Sequence, residues 1–214
     1  MIDSYKTLTL GKFMELQKID RNSMEEIDIQ VKMLSVLSDM NEDKILKLPL
    51  DEYSKMVNKT VFLLKDPEIS KSIPDKIKLN DKIYVLVKDI KKMTAGQYID
   101  YQQYLAANDN NFYLPYILSC FIIPKGKTYG DYDIEEVVET IKNNLSVEEA
   151  LSISGFFMKK FRTSIKAILF YLDWKIRKMM RKVKDETVKT KLMTARKAIA
   201  SLDSLMKDGV GSLV

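Results

Sequence analysis

Tyr5-Lys6-Thr7-Leu8-Thr9-Leu10-Gly11-Lys12-Phe13-Met14-Glu15-Leu16-Gln17 aligns without gaps on Ile90-Lys91-Lys92-Met93-Thr94-Ala95-Gly96-Gln97-Tyr98-Ile99-Asp100-Tyr101-Gln102. A Lys, a Thr, the Gly and the final Gln are identical, and Leu/Met, Phe/Tyr, Met/Ile and Glu/Asp are conservative exchanges. Nearly the same offset places Leu34-Ser35 on Leu118-Ser119. After an insertion in the second copy, Leu48-Pro49-Leu50-Asp51-Glu52 meets Leu145-Ser146-Val147-Glu148-Glu149. The shared order of these weak signals predicts an internal duplication, with two helical halves packed through equivalent faces.

Outward from the first copy, the apolar spacing is helical. Leu10, Phe13, Met14 and Leu16 share one side of Thr9–Ile19, and Ile27, Val31, Leu34 and Val36 share one side of Ile27–Leu37. A short turn of helix is predicted over Asn41–Leu46. Pro49 suits the first turn of the next helix, where Asp51 and Glu52 favour the N-terminal dipole. Tyr53, Met56, Val57, Val61 and Leu64 are its predicted buried stripe.

The pattern changes at Asp66. Pro67 and Pro74 interrupt helix, and Lys76–Asp89 is rich in Ile, Val and Tyr around Asn80-Asp81, which predicts a hairpin. A three-residue loop, Asn80–Lys82, would pair Leu79 with Ile83 and Ile77 with Val85, whereas a two-residue loop sets Leu79 against Lys82. The longer loop is therefore expected. Since Tyr84 and Leu86 are also apolar, both faces of the second strand should be covered, by helices or by a neighbouring subunit.

Two capping boxes, Thr94/Gln97 and Ser146/Glu149, mark later helix starts. Between them lie an apolar segment from Phe112 to Ile123, a loop over Pro124–Gly130 and an acidic helix over Asp133–Lys142. Helix then runs from Ser146 to about Val183, and a last helix covers about Glu186–Lys207 with Gly209 as its C-terminal cap. The expected fold is mainly α: a duplicated helical bundle with one short β-hairpin between the halves and a long C-terminal helical region. This gives a first helical repeat over 1–70, a β-hairpin connector over 71–90, a second helical repeat over 91–183 ending in a long helix, and a basic C-terminal helix with a frayed tail over 184–214.

Composition narrows the chemistry. The 214 residues contain no His and one Cys, so a His-based catalytic triad, most zinc sites and any disulfide framework are excluded. The start of the chain has none of the basic-then-apolar character of an export signal. The longest uncharged run, Asn110–Pro124, carries Pro115 and is shorter than the roughly 20 residues a membrane-spanning helix needs. A soluble, cytosolic, non-enzymatic protein with no cofactor, metal or membrane partner is expected.

No motif supplies a site. Gly126-Lys127-Thr128 matches the end of a phosphate-binding loop, but Phe121 stands where that loop needs its first Gly. Asp131 and Asp133 lack further ligands in register, and helix capping accounts for them. Glu135, Glu136, Glu139, Glu148 and Glu149 read as helix-face and first-turn acids. Cys120, among Ile117, Leu118, Phe121 and Ile122, should be buried and inert.

The C-terminal third stands apart. Lys159–Lys197 holds fourteen basic residues against Asp173, Asp185 and Glu186, a net of +11, which leaves −6 for the rest of a chain of net charge +5. Phe161, Ile165, Ile168, Leu172, Ile176, Met179 and Val183 form an apolar stripe flanked by these bases. A solvated helix face that complements the acidic front part or a neighbour is one reading. Phosphate contact with nucleic acid, with Tyr171 and Trp174 for stacking, is another. Trp174 and Met179-Met180 carry apolar character beyond one face, which suits changing protein partners.

The order of Thr9-x-Gly11-x-Phe13-Met14-Glu15-Leu16-Gln17, Leu48-Pro49-Leu50-Asp51-Glu52-Tyr53, Ile83-Tyr84 and Lys92-Met93-Thr94-Ala95-Gly96-Gln97-Tyr98-Ile99-Asp100 resembles small helical proteins from structural gene clusters of tailed bacteriophages, including phages of gut Bacteroides. Some of these are similar to tail assembly chaperones. The resemblance covers residues 5–175 in pattern and leaves the basic end beyond 183 outside it. It implies a non-enzymatic morphogenesis protein that binds other phage structural proteins and itself, in the host cytoplasm or, for a permanent virion component, in the particle. No catalytic residue is implied. On this reading Phe161, Ile165, Leu172, Trp174 and Met179 make apolar contact with the partner, and Lys175, Arg177, Lys178, Arg181, Lys182 and Lys184 steer it.

Overall fold

The computed structural model describes every residue except 108, 109, 182, 184 and 209–214, and only the backbone at 110–112, 162, 164–168, 199 and 202–208. The chain is mainly helical with one small antiparallel sheet. It divides into two compact units, Met1–Phe156 and Phe157–Val214. Among the described residues, no helix is long and apolar enough to cross a membrane.

The first unit opens with α1 (Leu10–Gln17), α2 (Glu26–Ser38), α3 (Glu42–Leu46) and α4 (Leu50–Lys59). Asn41 starts α3 by accepting the Asp43 N–H on its side chain at 2.9 Å. Leu8, Leu16, Leu37 and Val147 form one core cluster, against which Tyr5, Phe13 and Phe62 pack. Val31, Leu34 and Ile45 form another, with Tyr53, Met56 and Val57 against it. Residues from opposite ends of this unit are joined: the Leu10 N–H donates to Leu145 O and the Val147 N–H to Leu8 O, both at 2.9 Å. At Gly11 a Cβ would stand 3.0 Å from the Lys142 carbonyl oxygen, so the missing side chain lets α1 approach residues 134–144 closely.

The predicted stripe on α4 needs correction. The α-helix ends at Lys59 and tightens into a 3-10 turn over Thr60–Leu64, with the Thr60 hydroxyl donating to Val57 O at 2.8 Å. That tighter winding turns Val61 and Leu64 outward, where they are exposed, and brings Phe62 and Leu63 onto the core instead. Tyr53, Met56 and Val57 are only half-buried.

Strands β1 (Lys76–Leu79) and β2 (Lys82–Leu86) form the expected hairpin, but in the other register. Leu79 faces Lys82 and Ile77 faces Tyr84, across a two-residue turn in which Asn80 and Asp81 have φ of 44° and 62°. Two successive left-handed residues make the turn whose twist matches that of the strands, and Asn and Asp tolerate that conformation. The apparent mismatch at Lys82 disappears because its ammonium reaches Glu136 at 2.6 Å while Leu79 stays buried. Ile77, Leu79, Tyr84 and Leu86 thus line the buried face, while on the other face Val85 is half-buried and Ile83 exposed within this chain.

A third strand was not foreseen. After α5 (Ala95–Ala106) and α6 (Asn110–Ser119), β3 (Ile122–Pro124) pairs antiparallel with β2, placing Val85 against Ile123. The capping box at Thr94 forms in full, and buried Gln97 also donates through Nε2 to Cys120 O at 3.0 Å. Asp133 caps α7 (Ile134–Asn144), and the box at Ser146 opens α8 (Val147–Met180), with Ser146 N–H donating to Glu149 at 3.1 Å. The two aligned sequence stretches both lead into helices. Leu16 and Tyr101 are buried at equivalent positions, whereas Met14 is buried and its counterpart Ile99 exposed.

The second unit contains the remainder of α8 and α9 (Glu186–Asp208). Arg196 on α9 donates from Nε to Asp173 on α8 at 2.8 Å. The predicted cap at Gly209 lies outside the described residues.

Candidate binding surface

Across residues 169–183 of α8 and the turn after it, exposure follows helical geometry. Leu169 is buried and Asp173, Ile176, Met180 and Val183 are half-buried, a repeat of four, three, four and three residues that marks one covered line. Asp173 in that line holds two cations, Arg177 Nε at 2.7 Å and Arg196 Nε at 2.8 Å. The apolar stripe read from the sequence is therefore rotated: Leu172 and Met179 stand on the shoulder of the covered line, 38% and 43% exposed. The signal for this was present in Asp173 and Arg177, spaced for an ion pair along one helix face.

The five expected apolar contact residues do not form one patch. Phe161 is buried, the Ile165 side chain lies outside the described residues, and Leu172 and Met179 share a flank. Trp174, half exposed, is two residues from Leu172 and so about 200° around the helix from it. Its neighbours are Tyr171, whose ring centre is 6.0 Å away at an interplanar angle of 32°, and Phe170, the most exposed aromatic of the helix. Phe170 was missed by sequence reasoning, although it lies one turn before Trp174.

Of the expected steering cations, Lys175, Arg177, Lys178 and Arg181 are exposed, while Lys182 and Lys184 lie outside the described residues. Lys175 Nζ lies 6.0 Å from the Tyr171 ring centre and Lys178 Nζ 5.1 Å from that of Trp174. The arginines on both sides of Asp173 hold its carboxyl below the usual carboxylate range, the bond from Arg196 being the largest cause. A depressed folded-state value means the ion pairs stabilise the unit above the unfolded carboxylate pKa of about 3.9 and are lost as pH falls through the lower folded value. A carboxyl-carbon NMR titration of Asp173 should therefore give a midpoint below that of an unstructured Asp, and Arg196→Gln should raise it.

The first unit holds the chain's one cysteine. Its Cys120 thiol is fully buried, and burial pushes its pKa up to about 12. Tyr129 lies 3.9 Å from the sulfur and donates to Asp100 at 2.8 Å. Burial thus holds the thiol neutral, and a neutral thiol is a poor nucleophile. A disulfide reagent should modify it at least tenfold faster in denaturant than in the native protein. A groove of about 450 Å³ between Lys6, Ser70 and Ser152 contains Glu149, whose carboxylate is already engaged in the Ser146 cap. Among the described residues no three metal-ligating side chains converge. No family model matches the chain, and neither a curated protein nor a solved structure does.

Proposed function

We propose that the chain is a non-enzymatic bacteriophage morphogenesis protein that works by binding other proteins, as a tail assembly chaperone does. The phage assignment rests on the sequence resemblance over 5–175. The binding assignment rests on one observation, the exposure of Phe170, Tyr171, Leu172, Trp174 and Met179 within ten residues of one helix. Scattered exposed apolar residues are ordinary, but five of them within ten residues support the binding reading. Leu172 and the pliable Met179 would shield an aggregation-prone face of a tail subunit, and the surrounding cations would speed its capture.

Deletion of the gene should give particles without complete tails, and mass spectrometry of purified wild-type particles should find the chain absent or far below one copy per structural subunit. A high copy number in particles would overturn the chaperone role and favour a permanent head, neck or tail component, or a packaged internal protein.

A further inference from the structure

The side of α8 turned away from its covered line carries a second chemistry. With about 100° per residue, Trp174 and Lys178 point opposite Ile176, and Tyr171, Lys175 and Arg181 flank them. The arrangement repeats: Tyr171 with Lys175, then Trp174 with Lys178, each a ring with an ammonium one turn further on. The two pairs are offset by three residues, about 4.5 Å along the axis. Between residues 170 and 181 the single acid is Asp173, which lies on the covered line and is held by Arg177 and Arg196. No described carboxylate therefore neutralises Lys175, Lys178 or Arg181.

We propose that this face binds single-stranded nucleic acid. Such a strand presents a planar base and one negative charge per nucleotide at a spacing of a few ångströms, the same alternation of π surface and opposite charge that the helix displays. The cation–π contacts at this exposed position are weak enough to yield to a stacking base, and they hold each ammonium beside the place where that base's phosphate falls. A duplex hides its base faces and an acidic peptide has none, so neither uses both halves of the pattern. The face borders the Leu172 and Met179 flank, and its Tyr171 and Trp174 also belong to the exposed set on which the protein-binding reading rests.

The chain has one Trp, so its intrinsic fluorescence reports on this surface directly. Full-length protein is titrated with a thymidine 20-mer, the corresponding duplex, linear polyphosphate and polyglutamate. The single strand should quench Trp174 emission and bind more tightly than the others, with affinity falling roughly 20-fold between about 50 and 200 mM salt if three phosphates are neutralised. Tyr171→Ala should weaken binding about fivefold or more. Lys175→Glu with Lys178→Glu should reduce it more than tenfold with the helical circular dichroism unchanged. If that spectrum changes, Lys175→Gln with Lys178→Gln replaces it and should also weaken binding. Absence of quenching at low salt, equal binding of polyphosphate or polyglutamate, or full affinity in the Tyr171→Ala variant overturns the proposal; preference for polyglutamate would point to an acidic protein instead.

Discussion

Phe121→Ala should destabilise the first unit by about 3–5 kcal/mol, among the largest effects expected of a single core truncation. The ring is 1% exposed and meets Tyr101 edge to face, with centroids 5.3 Å apart. It stands where α6 gives way to β3, and its carbonyl accepts the Val87 N–H at 2.9 Å just beyond β2. Removing it therefore opens a cavity at the joint between sheet and helices, where backbone hydrogen bonds limit collapse. Urea unfolding followed by far-ultraviolet circular dichroism measures the loss, and a change below about 1 kcal/mol would show that the site relaxes and that this joint is not a packing centre.

Leu8→Ala should cost about 2–5 kcal/mol. Leu8 is fully buried among Leu16, Leu37 and Val147, and the backbone on either side of it is tied to residues 145–147. The segment before α1 thus closes a core that the start of α8 completes. The midpoint of urea unfolding should fall with its slope unchanged, since the same surface is exposed. Leu46→Ala, at a position 65% exposed, should stay within about 0.5 kcal/mol of wild type and controls for helix propensity.

Helix starts were legible because their signals are local. Asn41, Thr94, Asp133 and Ser146 each satisfy backbone N–H groups a few residues on, and every one of these bonds is present. Elements decided by distant partners were not. Ile122-Ile123-Pro124 continues the apolar run of α6 without punctuation, and only the free edge of β2 makes it a strand. The hairpin register turned on Lys82, whose partner Glu136 is far away in sequence. Val61 and Leu64 were displaced by a change of winding that no spacing rule announces.

The candidate surface was half legible. Charge and apolar residues pointed to this stretch of α8, but periodicity alone put Leu172 and Met179 in one stripe with Ile176 and Val183. Asp173 takes that covered position because two guanidinium groups satisfy it, and the side chains beside it are left outside. A rule that excludes carboxylates from covered lines fails where the carboxylate is doubly paired.

The central claim, protein binding through the exposed flank of α8, is tested most directly by a photo-crosslinking amino acid placed at Leu172 in infected cells, with Leu64 as control. Leu64 is 86% exposed but belongs to the first unit, so it matches exposure without the surface. Adducts between position 172 and a tail structural subunit, absent from position 64 and from finished particles, are the predicted result. Equal labelling from both positions, or none from 172, would contradict the account.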